Sequence, residues 1–307
     1  MPSLNLPNIR NVQSTSVGKL LLSHAPSQAQ LSNRLPKLAS NSRTRLHARE
    51  ISCCSEKLLM TIVAIDAHWL PKPQGIMKNQ YFGDRNDYFK YDLLISLAGQ
   101  LAVKRLSIIW MLTEDDDSQH GEKTKYARGA GDRRLYQSLR RSLNEGSRNV
   151  GQLRNFLQEG GYEFDYCPYG EERLFGHQER DSYFERIPEE SLAGSVVFLD
   201  PDIGLEAKSM GAKDGPNYVT YDEVASICGR MEETSVLVTY QHLPHVHRRL
   251  FLYRTADKLM QRLKCPMPVS ISDNQIAFII LAKTKKRQEE VRKALHEYTR
   301  SHLDIFD

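Results

Sequence analysis

Read as a pattern of apolar and polar positions, the chain has a patternless stretch followed by a regular one. No hydrophobic period is sustained before about Met60; beyond it, strand-like and helix-like segments alternate. "TIVAI" (61–65) reads as a short strand. In "NDYFKYDLLISLAGQL" (86–101) the apolar residues Phe89, Leu93, Leu94, Leu97 and Leu101 make one helical face. "RLSIIWML" (105–112) is a strand that runs into the acidic loop "TEDDDSQHGEK". Helices are expected over 132–143, where Leu135, Leu139 and Leu143 are four apart, and over 150–160, stopped by Gly160-Gly161. "YEFDYCP" (162–168) is a further short strand, and 171–190 is polar loop with helical turns.

The second half is clearer. "SVVFLD" is a strand, and "TYDEVASICGRM" (220–231) a helix with Thr220 as its N-cap. "TSVLVTYQ" (234–241) is a strand, and 247–263 a helix. "MPVSISD" and "QIAFIILAK" (275–283) are two strands able to pair as a hairpin, and an amphipathic helix over about 285–301 follows. Strands alternating with helices predict an α/β fold: a mostly parallel sheet flanked by helices, with a closing β-hairpin. The expected organisation is a single α/β domain over 60–307 with a helical, basic insertion at about 118–190.

Charge separates the two parts of the chain. The net charge is +4, yet residues 1–59 hold eight Lys or Arg against two Glu, so the remaining 34 basic and 36 acidic residues balance at −2. With ten serines and no Asp, residues 1–59 bury too little apolar surface to offset chain entropy and are expected to be a disordered basic extension. Three readings of it stand: an organellar transit peptide, a basic tail, or a start at Met60 or Met77. The body is not a generally basic coat for nucleic acid. Five scattered cysteines without a CxxC pair fit reduced cytoplasmic thiols, and no apolar run is long enough to predict a membrane span. Oligomeric state is not legible.

Three stretches carry candidate chemistry. In "VVFLDPDIGLE" (196–206), Asp200, Asp202 and Glu206 follow a wholly apolar strand, at the carboxyl edge where such sheets bind ligands. They suit a divalent cation such as Mg²⁺ or Mn²⁺, a substrate amine or ribose, or turn amides. In "YFGDRNDYFKY" (81–91), Asp84 or Asn86 is placed to cap a helix, Asp87 complements its dipole and Lys90 lies one turn on. In "TYQHLPHVHRR" (239–249), His242 sits just past a strand end and would share a site with Asp200 if the two strands are neighbours. Elsewhere, nine basic and two acidic residues lie between Lys123 and Arg154. Arg133 and Arg140, like Arg134 and Arg141, share a helical face suited to solvent or to a polyanion such as nucleic acid.

Two of these stretches together resemble a family. "GDRNDYFKY" is similar to the Gly-Asn-x-x-Asp-x-x-Lys-His helix start of ribosomal RNA adenine-N6 methyltransferases: Gly83, Asp87 and Lys90 match, with Asp84 for Asn and Tyr91 for His. "FLDPD" resembles the Asp-Pro-Pro-Tyr loop of amino-methyltransferases through Asp200 and Pro201, with Asp202 for the second Pro and Ile203 for the aromatic. The element order resembles that of three-cysteine-motif partner proteins, and "YFGD", "WMLT" and "DPDIGLE" resemble an uncharacterised bacterial family. The resemblance implies a Rossmann-like fold binding S-adenosylmethionine. Gly83, Asp84, Asp87 and Lys90 would lie near the cofactor, and Asp200, Pro201 and Asp202 at the target amino group of a nucleic-acid base, flipped or single-stranded. The glycine-rich turn that would follow the first strand is replaced by "WMLTEDDD". Two alternatives stand beside it. One is a metal-dependent phosphodiesterase or nuclease using Asp200, Asp202, Glu206 and His242; the other is a catalytically inactive nucleotide-binding protein.

Overall fold

A computed structural model describes residues 79–113, 123–128, 131–176, 180–207, 210–298 and 303–306. The extension over 1–59, the strand expected at 61–65 and most of the acidic loop after Thr113 lie outside the described residues. The described chain belongs to one compact unit.

Its strands are β1 (Arg105–Trp110), β2 (Asp165–Tyr169), β3 (Ser195–Asp200), β4 (Gly204–Leu205), β5 (Tyr218–Val219), β6 (Val236–His242), β7 (Val269–Ser272), β8 (Ile276–Ala282) and β9 (Asp304–Phe306). Seven form one sheet in the order β2-β1-β3-β6-β8-β7-β9, while β4 and β5 pair as a small separate ribbon. β2, β1, β3 and β6 are mutually parallel. β8 opposes β6, β7 opposes β8 and β9 opposes β7, so five of the seven strands point one way. The closing hairpin is β7–β8, with β8 inserted against the parallel half. The fold is α/β, with a mostly parallel sheet between helices.

The helices are α1 (Arg85–Gln100), α2 (Arg133–Asn144), α3 (Gln152–Glu159), α4 (Arg180–Glu185), α5 (Glu189–Leu192), α6 (Tyr221–Arg230), α7 (Arg248–Leu263) and α8 (Lys285–Tyr298). Strand periodicity decides which helices cover which face. Val196 and Phe198 of β3 join α1, α2, α3 and α8 through Leu94, Leu139, Leu153 and Leu295. Val197 and Leu199 face the other way, onto Val224 and Ile227 of α6 and Leu252 and Leu259 of α7. All four β3 residues are fully buried, which is why the strand reads as continuously apolar. Within the stretch 118–190, β2 pairs in parallel with β1 and forms the sheet's edge.

The connections locate the site. From β1 the chain crosses to β2 through α2 and α3 on one face, then returns past β1 to β3 through α4 and α5 on the other. The order therefore reverses between β1 and β3, and sheets of this kind open a crevice outside the carboxyl ends at that point. Trp110 ends β1 opposite Asp200, which ends β3.

Candidate functional site

A cavity of about 520 Å³ opens at that reversal. It lies within the range of small-molecule sites, about 300–1,000 Å³. The ends of β1 and β3 form its floor, the first turns of α1 one wall, and Tyr240 and His242 of β6 another.

The α1 wall is built from its own sequence. Asp84 caps the helix, accepting from the Asp87 amide at 2.9 Å. Gly83 precedes it at φ +87°, where a Cβ would lie 3.2 Å from Cγ of Leu143 and 3.3 Å from the Leu139 carbonyl. Only glycine takes both the backbone angle and the close approach of α2. The Gly83 amide donates to Asp87 Oδ2 at 3.2 Å, and the Tyr91 hydroxyl to the same oxygen at 3.3 Å.

Lys90 links this wall to the sheet. Its ammonium lies 3.0 Å from Asp87 Oδ1 and 2.9 Å from Asp200 Oδ2. The rings of Tyr240, Tyr91 and Phe198 surround it at 5.4, 5.5 and 5.9 Å. Burial opposes the charge, but Asp200 and Asp87 outweigh it and hold Lys90 protonated beyond the ordinary lysine range. Burial raises the Asp200 carboxyl to about 6 against the pull of Lys90. At neutral pH both are ionised. Among the described residues Oδ1 of Asp200 makes no hydrogen bond, so one carboxylate oxygen is anchored and the other faces the cavity.

Asp84 is the second perturbed group. Burial and then the Asp87 charge raise it to about 7. The folded state therefore binds this proton more tightly than the unfolded chain, and ionisation costs stability increasingly from about pH 4 to pH 7. Asp84→Asn keeps a capping oxygen without the charge. It is expected to be more stable than the natural chain by on the order of 2 kcal/mol above pH 7, since a shift converts at about 1.4 kcal/mol per unit and the ionised cap gives some of this back. The gain should shrink towards zero near pH 4. Thermal unfolding of both proteins at pH 4.5 and 8 measures this, and a destabilised variant at pH 8 would contradict it.

The expected acidic cluster is dispersed. Asp202 lines the cavity and accepts from the Thr113 hydroxyl at 3.1 Å. Glu206 is turned away and accepts from the Tyr221 amide at 3.0 Å, at the start of α6. The turn between them hinges on Gly204 (φ +140°), where a Cβ would lie 2.6 Å from the Gln241 amide group. That side chain fastens the loop to β6 by accepting from the Leu205 amide at 3.0 Å. His242 does share the cavity with Asp200, because β3 and β6 are neighbours. Among the described residues no three of His, Cys, Asp and Glu gather as a cation site.

Of the residues expected at a site, Asp84, Asp87, Lys90, Asp200, Pro201 and Asp202 line this one cavity, while Gly83 packs against Leu139 and Leu143 instead of lining it. Sequence reasoning missed the aromatic lining of Tyr81, Phe82, Trp110 and Tyr240. Asn86, expected as an alternative cap, instead lines the cavity, and its buried Oδ1 accepts no hydrogen bond within the described residues. Glu171, just past β2, is not among the residues lining this cavity; its Oε1 pairs with Arg154 and its Oε2 is buried without a partner. The alternation of β6, which sends Thr239 and Gln241 to one face and Tyr240 to the other, was a usable signal for Tyr240.

The arginines of α2 are partly spent on the fold. Arg134 donates to the Gly160 carbonyl at 2.8 Å and stacks on Tyr162, and Arg140 donates to the Thr124 carbonyl. Arg133 and Arg141 are exposed.

Comparison with known proteins gives no family. No protein-family model matches the chain, and no curated protein matches it. Among the described residues no helix is long and apolar enough to cross a membrane. Functional inference therefore rests on the site.

Proposed function

We propose that the protein is a Rossmann-like S-adenosylmethionine-dependent methyltransferase acting on an amino group of a nucleic-acid base. The observation that carries this reading is Asp200-Pro201 at the reversal point. One oxygen of Asp200 is fixed by Lys90 and the other is open to a cavity walled by aromatic rings and carboxylates.

The lining suits the methyl donor. Asp84, Asp87, Asp200 and Asp202 outnumber Lys90 and Lys123, so the cavity favours a cationic guest. The aromatic faces favour a sulfonium over a neutral thioether. Asp84 and the unpartnered Oδ1 of Asn86 would take the ammonium. The donor supplies an electrophilic methyl group when bound. Asp200 accepts an N–H of the target amine and aims its lone pair. Pro201 has no amide hydrogen to compete for that carboxylate, and Tyr240 offers a ring for the base where Ile203 cannot.

The metal-dependent alternative is weaker, since a cation at Asp200 would have to displace the Lys90 ammonium. Thermal-shift titration of the full chain with S-adenosylmethionine, S-adenosylhomocysteine, Mg²⁺ and Mn²⁺ separates the readings. The methyl donor is expected to stabilise by about 2.7 kcal/mol at 100 times its Kd. No response at millimolar donor overturns the proposal. A response to metal alone supports the phosphodiesterase.

A further inference from the structure

The described surface carries three exposed large hydrophobic side chains: Val246, Leu250 and Tyr253, at 59, 45 and 55% exposure. All lie within eight residues, at the corner where β6 passes into α7. Burial of Leu252, Thr255, Ala256 and Leu259 fixes the inner face of α7, so Leu250, Tyr253 and Arg254 fall together on the outer one. The corner is held in place. The Leu243 amide donates to Gln275 at 2.8 Å, His247 caps the helix, and Arg248 donates to the Asp273 carbonyl at 2.7 Å. From His242 to Ala256 the chain has three His and three Arg, and no Asp or Glu; Arg248 is paired with Asp304, which leaves Arg249 and Arg254 as the exposed cations of the segment. At one end of this segment His242 lines the cavity.

We propose that this corner docks a single-stranded nucleic acid and leads it into the cavity. The inference deepens the function proposed above and rests on it for the class of substrate. Arg249 and Arg254 match phosphates, and Tyr253 offers a face on which a base stacks. Charge complementarity selects this occupant. The segment is cationic on a body that is otherwise slightly acidic, and a second copy of the chain would set these cations against their own kind. A lipid surface needs a wider apolar face than three side chains provide. The α2 arginines serve less well, because Arg134 and Arg140 are engaged with backbone carbonyls.

The test is fluorescence anisotropy of the full chain, without methyl donor, on labelled 15-nucleotide single strands of RNA and of DNA. The natural protein is expected to bind one or both. Arg249→Gln with Arg254→Gln should weaken binding at least tenfold at 100 mM salt and lower the salt slope by about 1.4, at about 0.7 per phosphate contact. Tyr253→Ala should weaken it at least fivefold, with an unchanged circular dichroism spectrum. Equal affinity in these variants overturns the proposal, as does loss confined to Arg133→Gln with Arg141→Gln. Sedimentation with phosphatidylcholine–phosphatidylglycerol vesicles in place of strand binding, or a dimer dissolved by Leu250→Ser, also overturns it. A chain that binds strands here but never S-adenosylmethionine sinks the methyltransferase reading and leaves the docking surface standing. One that binds the donor and ignores strands does the reverse.

Discussion

Replacing Lys90 by Met is expected to destabilise the fold by about 3–5 kcal/mol, the cost of removing one partner from a buried ion cluster. The ammonium lies within 3.0 Å of both Asp87 and Asp200, and all three side chains are nearly inaccessible. The Met stem fills most of the space, so the loss is chiefly electrostatic. Without the cation, Asp200 and Asp87 face each other with Asp84 nearby, and their ionisation becomes costly. Because that cost exists only when the carboxyls are charged, the deficit should be larger at pH 8 than at pH 5. For a unit of this size, melting should fall by on the order of 10 °C at pH 8. Calorimetry of both proteins at the two pH values measures it. A loss below about 1 kcal/mol that does not vary with pH would show that Lys90 is not the counter-ion holding this wall together.

What sequence reasoning could and could not reach follows from the range of the interactions involved. Fully buried elements announced themselves, since Val196 to Leu199 had to be a strand covered on both faces. Local caps did too: Thr220 is the N-cap of α6, and the structure adds Glu223 as its capping-box partner. Very short elements did not. β9 spans three residues, and β4 and β5 two each, too short for alternation to register. The N-cap role of Asp84 and the Asp87–Lys90 pair are contacts within one helical turn, so spacing suffices to read them. The second partner of Lys90 is 110 residues away in the chain, and only the crossover that returns β3 beside β1 brings it there. The acids after β3 illustrate the opposite error. Asp200, Asp202 and Glu206 look like a cluster because they are close in sequence, but the turn at Gly204 sends Glu206 to the Tyr221 amide. Of the three histidines at the β6–α7 corner, His242, the one just past the apolar strand, lines the cavity.

The other large expectation concerns Asp200 itself. On the proposed function, Asp200→Asn keeps the shape and one acceptor oxygen, but removes the negative charge that an amine undergoing methylation would meet as it becomes cationic. Charge stabilisation of that kind, met only in the transition state, is commonly worth about 10²–10³ in kcat. Affinity for S-adenosylmethionine is expected to stay within about threefold, because Asp84, Asn86 and the aromatic faces are left in place. Transfer of a radiolabelled methyl group to single-stranded oligonucleotides containing adenine and cytosine gives the rate, and calorimetric titration gives the affinity. The pH profile supplies a readout that a purely structural role would not move. With its pKa raised to about 6, Asp200 gains a proton as pH falls through that value and loses the negative charge that, on the proposed function, would stabilise the amine. The natural rate should therefore drop below about pH 6, and the residual rate of the variant should not follow it. Lys90 keeps Asp87 as a partner in the variant, so the folded state survives with a moderate loss. If the variant instead lost the methyl donor while turnover per bound donor stayed the same, Asp200 would belong to the cofactor's site, and the amine would have to be held by another group, with Asp202 the nearest carboxylate along the chain.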